Sequence, residues 1–261
     1  MKKVALVTGA SSGIGYATCV RLLKLGYEVY GISRRSIVPK GAISLCADVT
    51  DEQAVYEAVK KIMDKEGRID ILINNAGFGI SGPIEYTKIS DVRDQMDVNF
   101  MGELICAQAV LPIMRSQGSG AIVFVSSVAG ELAIPYQAFY STSKAAVHMM
   151  ALALRNEVKD FGIQVSSIMP GDAKTGFTAE RRKDSSGDQV YTKNVAAVEA
   201  MEKDEQNGMS ADDVAAVIVK AATAKAPKPY YVVGGKYKFF HALYKLTTGK
   251  FIYNLVHSMY S

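Results

Sequence analysis

Tyr140 and Lys144 stand four residues apart, downstream of the pair Ser126-Ser127. A phenol with an ordinary pKa near ~10 is a poor acid or base at neutral pH. An ammonium group one helical turn away stabilises the phenolate and makes the phenol usable as a proton donor. Ser127 adds a hydroxyl that can donate to a substrate oxygen, an oxyanion-type role. Together the three suit the proton-transfer half of a carbonyl reduction. The plainer reading of Tyr140 is an aromatic packed on a sheet. The same spacing recurs at Tyr56 and Lys60 without serine or glycine context, where it reads as a contact along a helix surface.

The second chemical feature is Thr8-Gly9-Ala10-Ser11-Ser12-Gly13-Ile14-Gly15. Glycines at this density let a backbone approach a pyrophosphate, and a helix starting here offers free N–H groups and the positive end of its dipole. An ordinary glycine-rich turn is the alternative. The apolar strand before it and the helical spacing after it favour the nucleotide reading.

These groups need a scaffold, and the sequence supplies one by alternating short apolar runs with longer amphipathic ones. Strands are expected at Val4–Val7, Glu28–Ile32, Ala42–Cys46, Ile69–Ile73, Ala121–Val125, Ile163–Met169 and near Tyr230–Val233. Helices are expected over Tyr16–Leu25, Gln53–Met63 (capped by Thr50), Val92–Met114 and Ser143–Phe161, with a later one opened by Ser210 and Asp213 at capping-box spacing. Strands without polar alternation are buried on both faces, as in a parallel sheet covered by helices. The pattern predicts an α/β, single-domain, doubly wound parallel sheet of about seven strands, the Rossmann type, with helices on both faces. Residues in such sheets that meet ligands lie at the carboxyl ends of strands, where Ser127 is expected.

The Thr-Gly-x-x-x-Gly-x-Gly spacing is followed in order by Asn74-Asn75-Ala76-Gly77, Asp97-Val98-Asn99, Ser127, Tyr140-x-x-x-Lys144 and Pro170-Gly171 with Thr175. With these motifs the chain resembles the short-chain dehydrogenase/reductase family from residue 1 to about 235. The resemblance implies hydride transfer between a nicotinamide cofactor and a carbonyl or secondary alcohol, with Asn99, Ser127, Tyr140 and Lys144 as the catalytic set. It implies that Tyr140 is the acid/base, that Lys144 also bonds the nicotinamide ribose, and that Asn99 holds a water for proton relay. An Asn inside a helix can also simply kink or cap it.

For the cofactor, the resemblance implies contacts from Gly9, Ser11, Ser12, Gly13, Ile14 and Gly15, from Asn75, Ala76 and Gly77, and from Pro170, Gly171 and Thr175, besides Tyr140 and Lys144. Asp48 and Val49 match the family's adenine-contacting pair, although Asp48 reads almost as well as a strand-end turn residue. At the end of the second strand Ser33 stands where NAD enzymes place an acid, and Arg34 and Arg35 follow, so NADP(H) is the expected cofactor.

The segment 172–208 is polar and charge-dense and is expected to close over the substrate as a lid, or to be a loop that moves without ligand. Residues 236–261 form an extension with seven aromatics. From Val214 to Ser261 there are seven lysines and no carboxylate, so the chain's net charge of +4 divides into a +7 end and a −3 body. Pocket wall, subunit contact, basic patch on a membrane surface and plain core packing compete for this tail. Its presence looks closer to NADP-preferring members that handle steroids, retinoids and other lipophilic alcohols than to 3-oxoacyl reductases. A 3-oxoacyl or small-carbonyl reductase remains the alternative, and a non-catalytic NADP-sensing protein the reading from another class. Nucleic acid is an unsuitable partner, since the tail lacks arginine and the body is acidic. Three unpaired-looking cysteines, a four-residue apolar start and no ~18-residue apolar stretch suggest a cytoplasmic chain without a membrane span. A homodimer or homotetramer is implied by the resemblance, through the two long helices.

Overall fold

Val4–Thr8 (β1) is wholly apolar apart from its last residue and buried throughout, which fixes it at the middle of the molecule. Around it lie Glu28–Ser33 (β2), Ile43–Cys46 (β3), Ile71–Asn74 (β4), Gly120–Val125 (β5), Ile163–Pro170 (β6) and Tyr230–Val233 (β7). All pair in parallel, in the order β7-β6-β5-β4-β1-β2-β3. The computed structural model describes residues 2–259. The chain is thus a single doubly wound α/β unit with seven parallel strands.

Both faces of the sheet are covered, and each has its own core. Gly13–Lys24 (α1) and Ala211–Thr223 (α8) pack Cys19, Leu22, Val214 and Ile218 against Ala5, Val7 and Ile73. Glu52–Glu66 (α2), Gly102–Gln117 (α4) and Ala138–Glu157 (α5) pack Val55, Ile62, Cys106, Val110 and Val147 against Leu6, Leu72 and Phe124. The Ser210–Asp213 capping box is formed in both directions.

Several boundaries differ from expectation; the first helix, expected from Tyr16, already begins at Gly13. The side chain capping α2 is Asp51, which accepts from the Ala54 N–H at 3.0 Å, while Thr50 turns its hydroxyl to Asp48 at 2.9 Å. The long helix expected at Val92 begins earlier, as Ile89–Met96 (α3), and reaches α4 through a π-helical turn at Asp97–Met101. The helix expected from Ser143 to Phe161 is α5, beginning at Ala138 after Tyr136 takes a left-handed φ of 59°. Its end is a separate 3-10 turn at Lys159–Phe161, closed by Gly162.

The continuous helical stretch Ile89–Gln117 is long and apolar enough by composition to cross a bilayer, yet its face of Cys106, Val110 and Met114 packs on the sheet as a core helix does. The segment expected as a lid loop carries two helices, Phe177–Glu180 (α6) and Asn194–Gln206 (α7). The tail forms Gly235–Leu246 (α9) and Gly249–Met259 (α10), and its Tyr260 lies outside the described residues.

Candidate active site

The carboxyl ends of β1, β2, β4, β5 and β6 open into one cavity of about 780 Å³. Of the expected catalytic and cofactor-contacting residues, all but Gly15 and Asn99 line it. These two stand just behind the wall. Gly15 is obligatory at its position, because a Cβ there would come within 2.3 Å of the Gly9 carbonyl oxygen. Thr8 ends β1 and ties the turn to the next strand: its Oγ1 accepts from the N–H groups of Asn75 and Ala76 at 2.9 and 3.0 Å. The amide of Asn75 returns a bond to the Thr8 carbonyl at 3.0 Å. The first turn of α1, with Ser12, Gly13 and Ile14, therefore faces the cavity with N–H groups that no capping side chain occupies. The cradle fits a pyrophosphate.

At the end of β2 the Ser33 side chain is buried and donates to the Arg35 carbonyl. Arg34 and Arg35 both line the cavity, and Arg35 Nη2 donates to Ser11 Oγ at 3.2 Å. Two cations thus bracket the glycine-rich turn with no carboxylate at position 33. Asp48 both lines the cavity and holds its own turn, accepting from the Thr50 N–H at 3.0 Å.

Ser127 follows β5. Its hydroxyl accepts from the Ala129 N–H at 3.1 Å and lies 3.4 Å from the Pro170 carbonyl, so the ends of β5 and β6 fix it together. Tyr140 sits one turn into α5 with its ring 5.3 Å from that of Phe177. Burial pushes its phenol up to about 12; the Ser127 hydroxyl and the Arg181 cation pull it down, while Glu205 and Glu103 push it further up. Lys144 Nζ donates to the Val125 carbonyl at 2.7 Å and lies 3.4 Å from Glu103 Oε1. The decoy pair is elsewhere: Tyr56 is exposed on α2, and Lys60 bonds Asp64 at 2.6 Å.

Asn99 lies in the π turn, fully buried. Its Oδ1 accepts from the Phe78 N–H, and its Nδ2 donates to the Phe78 carbonyl and to Ser143 Oγ, each at 3.0 Å. The side chain therefore pins the segment after Gly77 to α5, and the widened helical turn is what lets it reach both.

The opposite wall comes from the lid and tail. Arg181 is fully enclosed and paired with Glu205 and with Glu202 at 3.7 Å, while Thr178 donates to Glu205 at 2.6 Å. Arg182 reaches α3, 2.7 Å from Asp94. Within 172–208, Arg181 and Lys183 pair with Glu202 and Glu205, while Glu180, Arg182 and Asp204 pair with residues outside the segment. Tyr237 of α9 lies flat on Gly171, where a Cβ would meet its ring at 1.9 Å, and its hydroxyl bonds Asp172. Phe240, Ile252, Leu255 and Val256 complete an apolar side. His148 and His241 are packing residues on this flank, bonded to Ser167 at 2.9 Å and Glu131 at 2.5 Å.

Sequence reasoning missed Glu103 and Arg181 as groups beside the site, and the bonding role of Thr8. Glu103 had a signal, an acid on the otherwise apolar face of α4. Arg181 had none, because a buried arginine in a charge-dense stretch looks like its solvated neighbours.

Comparisons agree with this geometry. Residues 3–186 match the family model described as short chain dehydrogenase. A 3-ketodihydrosphingosine reductase of Bacteroides thetaiotaomicron is 41% identical over 229 residues, 86% of this chain and 85% of that one. An NADPH-dependent 3-dehydrocapnine reductase of Ornithobacterium rhinotracheale is 33% identical, covering 92% of this chain and 91% of its own. Among solved structures, a short-chain dehydrogenase from Streptomyces avermitilis superposes with a TM-score of 0.85 at 29% identity, over 94% of this chain and 93% of that one.

Proposed function

Because the chain belongs to the short-chain dehydrogenase family of oxidoreductases, we propose that it is an NADPH-dependent reductase of a lipophilic ketone, with Tyr140 delivering the proton. The observation that carries this reading is the meeting of Ser127, Tyr140 and Lys144 in one cavity with the glycine-rich turn. The nicotinamide, when bound, supplies the hydride. Ser127 donates to the substrate oxygen, and Tyr140 holds the proton that the developing alkoxide takes. Lys144 lends the positive charge that makes the phenol more acidic and bonds the nicotinamide ribose. Asn99 fixes the Phe78 segment beside Lys144 and carries the water relay.

Gly9 to Gly15 take the pyrophosphate, Asn75 to Gly77 and Pro170, Gly171 and Thr175 the nicotinamide end, and Asp48 and Val49 the adenine. Ser33, Arg34 and Arg35 favour a 2′-phosphate over a free ribose hydroxyl, since an arginine fork matches phosphate geometry. The dependence printed in the name of the Ornithobacterium relative supports the same choice. Residues 1–235 are the catalytic body, 172–208 its lid, and 236–261 the apolar substrate wall. The substrate named for the Bacteroides relative is a ketone, as this reading requires. We further assign a cytoplasmic enzyme that assembles as a dimer or tetramer through helices whose exposed Met101 and Met149 await cover. The exposed Phe239, Leu246 and Phe251, with the tail lysines, provide for passing contact with a membrane surface.

The test is NADPH oxidation across ketones of increasing chain length. Rates per KM should rise with length; turnover confined to small polar carbonyls would overturn the lipophilic assignment.

A further inference from the structure

Glu103 is the most deeply buried carboxylate among the described residues, 1% exposed, in the first turn of α4 after the π turn that holds Asn99. Its Oε1 faces Lys144 Nζ at 3.4 Å, and its Oε2 has no hydrogen-bond partner. Its backbone carbonyl is tied to β4 through the Asn74 amide at 2.8 Å, which anchors this turn of α4 to the sheet. A carboxylate this enclosed is costly unless it is paired, and one 3.4 Å contact is thin payment for it. Stability alone would be served as well by an apolar residue here.

We propose that Glu103 is the switchable counter-charge of Lys144, and that its charge, beside that of the lysine, sets how readily Tyr140 gives up its proton. When the Glu103 carboxyl is neutral, the pair carries one net positive charge, and the phenolate of Tyr140 is favoured. When Glu103 ionises, the pair is neutral and Tyr140 holds its proton more firmly, the direction in which Glu103 already acts on it. The titratable groups facing Glu103 are Lys144 and Tyr140 of α5 and Cys106 of its own helix. Burial pushes the Glu103 carboxyl up to about 8, with Lys144 opposing the rise, so the change of state falls in the alkaline working range. Above it the site retains a proton on Tyr140 that it would otherwise lose. The device biases the enzyme toward ketone reduction, which consumes that proton, and against alcohol oxidation, which needs the phenolate.

The inference rests on Tyr140 being the acid of the proposed reaction, and its test separates the two. Glu103→Gln keeps shape and hydrogen bonding but fixes the charge. Against wild type, kcat/KM for reduction should coincide below the carboxyl's titration and fall earlier above it, the alkaline limb moving down by about one pH unit, a tenfold loss there. Alcohol oxidation at the same alkaline pH should rise. Independently of turnover, the cofactor-free protein should show a protonated carboxyl stretch in the infrared that disappears near pH 8 and is missing from the variant. Should Glu103→Gln not fold, the wild-type band decides alone. Superimposable pH profiles, or a band lost in the ordinary carboxylate range near ~4, would overturn the assignment. An active Tyr140→Phe enzyme would instead sink the reading of Tyr140 itself and leave the infrared result standing.

Discussion

On one side of the cavity Thr8, Gly9, Asn75 and Ser127 are held at the ends of β1, β4 and β5 by hydrogen bonds between side chains and the main chain and by contacts too close for a Cβ. On the other, Arg181 is held by Glu205 of α7, Tyr237 of α9 bonds Asp172, and Ile252 of α10 is buried. The first wall depends on particular side chains bonded to the main chain and on glycines that a Cβ would not fit, which leaves few substitutions open. The second is a set of interchangeable side-chain contacts whose sum sets the cavity's width and polarity. Reaction type should reside in the first and substrate choice in the second.

Four changes would break or sharpen that contrast. Gly15→Val forces a Cβ into the Gly9 carbonyl, and NADPH affinity, read by fluorescence quenching, should fall by more than about a hundredfold. Equal affinity would mean that the turn is not the cofactor cradle. Arg35→Ala, at a side chain that reaches Ser11, should weaken NADPH roughly tenfold and leave NADH binding unchanged; an equal loss for both would remove the 2′-phosphate argument. Tyr237→Ala opens the second wall, and KM for long-chain ketones should change about threefold while small carbonyls keep theirs. The fourth change concerns stability. Glu103 has a folded pKa raised from 4.5 to about 8, so the folded state binds the extra proton and stability declines as pH rises between those values. A melting series should show that decline in wild type and less of it in Glu103→Gln.

The same contrast explains what could be read from the sequence. Glycine-rich turns, Asn75 and the Tyr140–Lys144 pair carry spacing signals because backbone geometry demands those residue types, and the seven-strand sheet follows from apolar runs of β-branched residues. The cap of α2 went to Asp51 over Thr50, a one-residue choice between two good capping side chains. The π turn at Asp97–Met101 went unread, since it holds neither a glycine nor a proline and no side chain caps it within an otherwise helical run. In 172–208 the charges gave no hint that Arg181 would be enclosed, because burial there depends on partners 21 and 24 residues along the chain, Glu202 and Glu205.

The central claim is that Tyr140 delivers the proton, while the glycine-rich cradle of the cofactor is held by Thr8 and Asn75 and not by its hydroxyl. Tyr140→Phe, assayed for NADPH binding and ketone reduction on the same preparation, tests this most directly. The account predicts wild-type affinity for NADPH with turnover reduced on the order of a thousandfold. Turnover within a few-fold of wild type would contradict it.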